Sequence, residues 1–252
     1  MNKSLVVLFI FQLFFFGCTS TSKKSGIESF KVEMNLEDKS GKFTVVRESG
    51  VGSDKKSFVS KYRVFSYEET GKKVLEQSIV FSVPGFLNKK FPLLRPDKSQ
   101  YRVWFDGKLY QSETFVEVKT KSLVVKLESP ESQWSGTKKY VFPGGNGVFC
   151  YFSQLVECID YSGFIRKAIK SKAGKMNFHV IWDGFPYVQE QYLNIANEPF
   201  SPALLEYDGR TKEGENRFSL TVSGNVIFYL FSDQYDYAKV FWPSQGLSLY
   251  HK

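Results

Sequence analysis

From Ser57 to Tyr67 the chain reads Ser-Phe-Val-Ser-Lys-Tyr-Arg-Val-Phe-Ser-Tyr, with aromatic and β-branched residues alternating with polar ones. That period of two belongs to a pleated strand with one buried face. Glu68-Glu69-Thr70-Gly71 and a second such run, Val74 to Val83, follow it, which predicts a hairpin. Similar runs recur at Phe30–Leu36, Lys42–Arg47, Tyr101–Phe105, Thr114–Val118, Leu123–Leu127, Phe178–Trp182, Phe218–Val222, Val226–Phe231 and Lys239–Trp242. Gly, Asp and Asn punctuate them at short intervals. Many short strands joined by turns point to an antiparallel sheet and away from βαβ units. The expected fold is therefore mainly β (α+β), an antiparallel, strongly curved sheet or half-barrel.

One segment breaks the pattern. Between residues 149 and 173 the apolar positions Phe152, Leu155, Ile159, Ile165 and Ile169 recur at helical spacing, and Arg166, Lys167, Lys170 and Lys172 crowd the end. Cations there complement the helix dipole, and Gly174 is the expected left-handed stop. Gly163 weakens the middle, so the segment reads as one helix or two short ones covering a face of the sheet. Cys150 and Cys158 flank its start. On one continuous helix, eight residues of rise separate them by about 12 Å, beyond the roughly 7 Å that a disulfide spans. Free thiols are the favoured reading, on their apolar neighbours; a strand or loop at Cys150 would instead allow a bridge.

The chain also echoes itself. Val103-Trp104-Phe105-Asp106-Gly107 parallels Val180-Ile181-Trp182-Asp183-Gly184, and Tyr207-Asp208-Gly209 is a shorter version. Asp-Gly suits a tight hairpin turn, so three hairpins are expected.

The amino-terminal residues carry a different signal. Lys3 precedes an apolar run from Leu5 to Leu13, interrupted only at Gln12, that ends in Phe14-Phe15-Phe16-Gly17-Cys18. A charge, a short apolar stretch and a small residue before a cut make an export signal, 1–17, and the run is short for a membrane span. Gly17-Cys18 resembles the lipobox of bacterial lipoproteins. Phe15 and Phe16 depart from its usual pattern, a looseness similar to that of spirochaete lipoproteins. The resemblance implies acylation of Cys18, a membrane partner reached through that anchor, and, since Thr19 rather than Asp follows, an outer-membrane address. Residues 18–27 read as the lipidated cysteine and a polar tether, and 28–252 as a single β-rich domain.

The chain of 252 residues carries a formal net charge of +8, and removing Lys3 with the signal leaves 8 − 1 = +7. Lysine doublets at 23–24, 55–56, 72–73, 89–90 and 138–139 are each expected in or beside a turn. An exported chain with no nucleic-acid-binding fingerprint predicts no nucleic-acid partner. Chemistry-bearing patterns are sparse. His179 and His251 are the only histidines, no Gly-x-Ser-x-Gly elbow occurs, and the cysteine spacing fits no zinc knuckle. No catalytic residue, metal ligand or cofactor is predicted, and the chain is read as non-enzymatic.

Aromatic residues are abundant. Five of the 25 phenylalanines belong to the signal, leaving 25 − 5 = 20 for the body. Most are expected to pack a core, but a curved sheet lined by rings also makes an apolar pocket. The candidate lining is Trp104, Tyr110, Trp182, Tyr187 and Phe241. Strands curled around a helix resemble the lipoprotein-carrier half-barrels of the bacterial envelope, which implies a lipid or other hydrophobic ligand. Two further readings stay open: a surface-exposed adhesion or interaction lipoprotein, and a hydrolase whose site carries no familiar motif.

Overall fold

The computed structural model describes residues 29–251, apart from residues 40, 69–70, 89–90, 145–146, 193 and 196. The predicted signal, Cys18 and the tether lie outside the described residues. A meander comes first: β1 (Phe30–Asp38), β2 (Gly41–Val51), β3 (Phe58–Glu68), β4 (Gly71–Asn88), β5 (Phe91–Phe105), β6 (Lys108–Glu117), β7 (Ser122–Glu128) and β8 (Gly136–Val141). An inner segment follows, made of β9 (Phe149–Tyr151), a 3-10 turn at Phe152–Gln154, α1 (Leu155–Tyr161) and α2 (Phe164–Ser171). Then come β10 (Lys175–Ile181), the short α3 (Val188–Gln191), β11 (Phe200–Arg210), β12 (Asn216–Val222), β13 (Asn225–Phe231), β14 (Tyr237–Trp242) and β15 (Leu247–His251).

All fifteen strands form one sheet, in the order β8-β7-β6-β5-β4-β3-β2-β1-β15-β14-β13-β12-β11-β10-β9. Every pairing is antiparallel except β9 with β10, which α1 and α2 connect as a crossover. The first and last strands pair at the middle, Met34 opposite His251 and Glu37 opposite Ser248. Alternation then decides the faces: Met34 and Leu36, Phe218, Leu220 and Val222, and Ile227, Tyr229 and Phe231 all enter one core with α1 and α2. The helical segment thus covers the concave face.

The sheet does not close by backbone pairing. It overlaps itself instead. Met176, Phe178 and Val180 of β10 face the main core, whereas Ile181, with Phe200 of β11 and Tyr151 of β9, packs against Tyr101, Val103, Leu123 and Val125 on the inner face of β5–β7. β10 alternates, with Lys175 and Asn177 exposed opposite Met176 and Phe178, and both of its faces are buried only at its end, where Val180 and Ile181 follow one another. Rings seal the overlap, with Phe142 centred 4.7 Å from Phe149 and 4.8 Å from Phe200.

Small polar residues make the overlap possible. Ser49, Ser60, Ser78, Ser82, Ser99, Ser112 and Thr114 all face inward and are buried on β2–β6. Their short side chains let the inner segment approach closely, and each hydroxyl finds a partner, as burial demands. Ser49 donates to Glu157 (2.8 Å), Ser82 to Gln154 (2.5 Å) and Ser112 to the Phe185 carbonyl (3.0 Å). Thr114 sits 2.8 Å from both the Ser99 and Tyr151 hydroxyls.

Several local expectations need correction. Cys150 and Cys158 are not free thiols: they form a disulfide across a Cα separation of 6.0 Å. The helical reading ran too far back, since Phe149–Tyr151 is a strand and the chain reverses through Phe152–Gln154 before α1 begins. The break at Gly163 is present, at φ 75°, and the left-handed closing residue of α2 is Lys172. Gly174 instead lies against Phe164 and Ala168. Of the three Asp-Gly pairs, only Asp106-Gly107 makes a tight hairpin turn, between Phe105 and Lys108 with both φ positive. Asp208-Gly209 is a bulge within β11, and Asp183 begins a buried loop after β10. Lys138 and Lys139 lie within β8, not in a turn.

Candidate functional site

Two sizeable hollows are found among the described residues. The first, about 100 Å³, lies inside the concave face. Inward positions on β3, β4 and β5 supply Tyr62, Glu76 and Tyr101; the loop after β10 supplies Trp182 and Asp183; Tyr192 follows α3, and Trp242 ends β14. Trp182 is completely buried, its indole N–H donating to Ser201 Oγ at 2.8 Å. Tyr192 stacks on Trp242 at 5.0 Å, and Phe152 packs against Trp182 at 4.6 Å.

Two carboxylates enter this aromatic box. Asp183 accepts from Ser78 Oγ at 2.5 Å, from Ser153 Oγ and from the Ser153 N–H at 3.2 Å. Burial pushes its pKa up, while those donors hold it down. Glu76 is partly buried and accepts from Gln191 Nε2 at 3.3 Å, and Gln191 in turn accepts the Tyr101 hydroxyl. Burial, with help from the charge of Asp183, raises Glu76 to about 7 against the pull of Tyr101 and Gln191. Tyr62, Tyr101 and Tyr192 are raised well above the usual phenol value, chiefly by burial. Gly184 is where the two layers touch: a Cβ there would sit 2.7 Å from the Tyr101 ring.

Arg47 forms the floor. It donates to both Glu157 oxygens, at 2.9 and 3.1 Å, and lies 5.0 Å from the Tyr237 ring centre. Burial pulls its pKa down, but the Glu157 carboxylate outweighs that and the guanidinium is held charged.

The second hollow is a seam pocket of about 510 Å³ at the open end of the overlap. Val83, Pro84 and Leu93 of the β4–β5 arm form one wall, Val116 and Val118 another, and Phe142, Val148 and Phe149 the third. Arg95 and Lys121 stand at its rim without an ion-pair partner among the described residues, whereas Glu117 is tied to Lys139 at 2.6 Å.

No protein-family model, curated protein or solved structure is similar to this chain. The reading of its sites accordingly rests on its own residues. Of the five aromatics proposed as a lining, only Trp182 borders the central cavity. Tyr110 and Tyr187 pack together at 5.4 Å in the overlap, and their hydroxyls are satisfied by Glu131 and by the Trp134 carbonyl. Trp104 is partly buried on β5. Phe241 is 40% exposed on the outer face, because its neighbours Val240 and Trp242 hold the inward positions. Sequence reasoning missed Glu76, Arg47 and Glu157. A charge in phase with the buried residues of a strand, as Glu76 is with Val80 and Ser78, was the available signal. His179 lies outside the cavity, stacked on Phe149 at 4.9 Å, and burial lowers its pKa. Among the described residues no cluster of His, Cys, Asp and Glu is arranged to hold a metal.

Proposed function

We propose that this is a non-enzymatic envelope protein, anchored through an acylated Cys18, that holds the apolar chain of an amphipathic ligand in the seam pocket. The observation that carries the reading is that pocket: about 510 Å³, apolar on three sides, with Arg95 and Lys121 at its rim. Its size falls within the roughly 300–1,000 Å³ of ordinary ligand sites, whereas the central cavity is too small for an acyl chain. An anionic head group would meet the two cations while the chain lies against Leu93, Val116 and Phe149.

Orientation supports the same reading. β1 starts at Phe30, opposite Ser49, so the chain leads in at the end of the sheet that bears the Lys55-Lys56 turn and Lys121. A short tether from Cys18 holds that basic end near the head groups of the outer membrane. Each lysine near an anionic surface adds about 1 kcal/mol of attraction.

Fluorescent fatty-acid binding tests the pocket. The wild type should bind and Val116→Trp, which fills the hollow, should not; a wild type that neither binds the probe nor carries lipid in native mass spectrometry overturns the proposal. Cys18→Ser should release the protein from membranes. Protease treatment of intact cells separates a periplasm-facing carrier, which survives, from a surface-exposed interaction protein, which is shaved.

A further inference from the structure

The central cavity has a chemistry of its own. Its lining combines Tyr62, Tyr101, Tyr192, Trp182 and Trp242 with aliphatic side chains such as Leu36, Val188 and Leu249, and the charged groups on it, among the described residues, are Glu76, Asp183 and Arg47. Arg47 is already neutralised by Glu157, which it meets with two hydrogen bonds, and is covered by the Tyr237 ring. Among the described residues no cation is paired with Glu76 or Asp183. Asp183 is satisfied by serine donors and Glu76 by Gln191, all neutral groups. The box is therefore electron-rich on its ring faces and acidic at one side. About 100 Å³ is left inside it. That is less than the roughly 150 Å³ of an engineered cavity that holds benzene, so only a compact end group enters and the rest of a ligand lies in the opening.

Access lies at one end. Tyr62, Glu76, Tyr192 and Leu247 keep partial exposure, while Trp182, Trp242 and Asp183 are buried behind them. Asp38, at the β1–β2 turn, adds its negative charge on the same side, where it acts on Tyr192.

We propose that the central cavity is a recognition site for a small methylated ammonium cation, either a free molecule or the head group of a lipid. Such a cation is attracted to Trp and Tyr faces through their quadrupoles and loses little on leaving water, because methyl groups, not N–H donors, surround its charge. It also supplies the positive charge that the two carboxylates lack. A neutral molecule of the same shape fills the space without either gain.

The groups facing Glu76 are Asp183 from the loop after β10, Tyr101 from β5, Gln191 and Tyr192 from the α3 region, and Tyr62 from β3. None of them is a cation. The cation therefore binds best when Glu76 is ionised, and affinity rises with pH through about 7, the value to which burial raises that group.

Calorimetric titration of the intact protein tests this with tetramethylammonium and choline, against 3,3-dimethyl-1-butanol, the neutral isostere of choline. We expect choline to bind at least about tenfold more tightly than the isostere at pH ~8, with most of that preference gone at pH ~5. Glu76→Gln should lose the pH dependence and Tyr192→Leu should weaken the cation more than the isostere, both with unchanged far-ultraviolet dichroism. Phosphatidylcholine vesicles that displace choline identify the head group as the source, and vesicles that do not displace it identify a free cation. Equal binding of cation and isostere by the wild type, or no heat with either cation at millimolar concentration, overturns the proposal. Neither result touches the seam pocket, which the fatty-acid probe reads separately.

Discussion

Glu76 and Arg47 both carry charge into the interior, and the fold treats them differently. Arg47 has a full partner. Removing one side of a buried pair strands the other, so Arg47→Met should cost about 3–5 kcal/mol in chemical denaturation, and adding Glu157→Leu should recover much of it. Glu76 has only neutral donors. In the unfolded chain it ionises near 4.5 and in the folded protein near 7, so between those values the native state holds the extra proton. Stability should fall as pH rises across that window and level off above it. Glu76→Gln should flatten the profile, which urea midpoints at pH ~5 and pH ~8 would show. The sequence marked the strands that carry these residues but not their inward charge, because Glu and Arg within an alternating run read as the solvated face. Phe241 shows the same ambiguity from the other side. In Val240-Phe241-Trp242 every residue is apolar, alternation cannot say which faces in, and packing against Phe152 and Tyr192 selects Trp242.

At the level of elements, the inner segment was the hardest part to read. Short apolar runs satisfy helical and strand periods alike, and Phe149 through Leu155 joined the helix on paper although β9 separates from α1 at Phe152. That three-residue turn brings Cys150 and Cys158 together. Closing so short a loop stabilises by about 2–3 kcal/mol in the chain-entropy account. Cys150→Ser with Cys158→Ser should lower stability by that amount, and hydrogen exchange should quicken in α1 before it does in β1–β3. Buried serines were illegible for a related reason: a polar residue is expected outside, and only the second layer at van der Waals distance explains Ser49, Ser60 and Ser78 within. The Asp-Gly pairs had identical local chemistry but different surroundings, and tertiary contact decided that Asp183 would be a buried acceptor.

For the molecule as a whole, the antiparallel curved sheet was legible from alternation, whereas its overlap depended on long-range contacts that no local pattern encodes. Among the described residues, β8 stands at the end of the strand order with one edge unpaired. Lys138 and Lys139 occupy that edge, and charges there discourage another chain from adding a strand. Lys138→Val with Lys139→Val should produce concentration-dependent association in sedimentation velocity without loss of folded structure. The pairing of β1 with β15 sets the order of assembly. Met34 and His251 are 251 − 34 = 217 residues apart, and contacts of such separation form late and slowly. Each half can begin as a meander, but the strand that joins the halves is the last of the fifteen to be synthesised. A chain made and passed through a membrane from its first residue would thus cross before its architecture could lock, and would acquire its shape only on the far side.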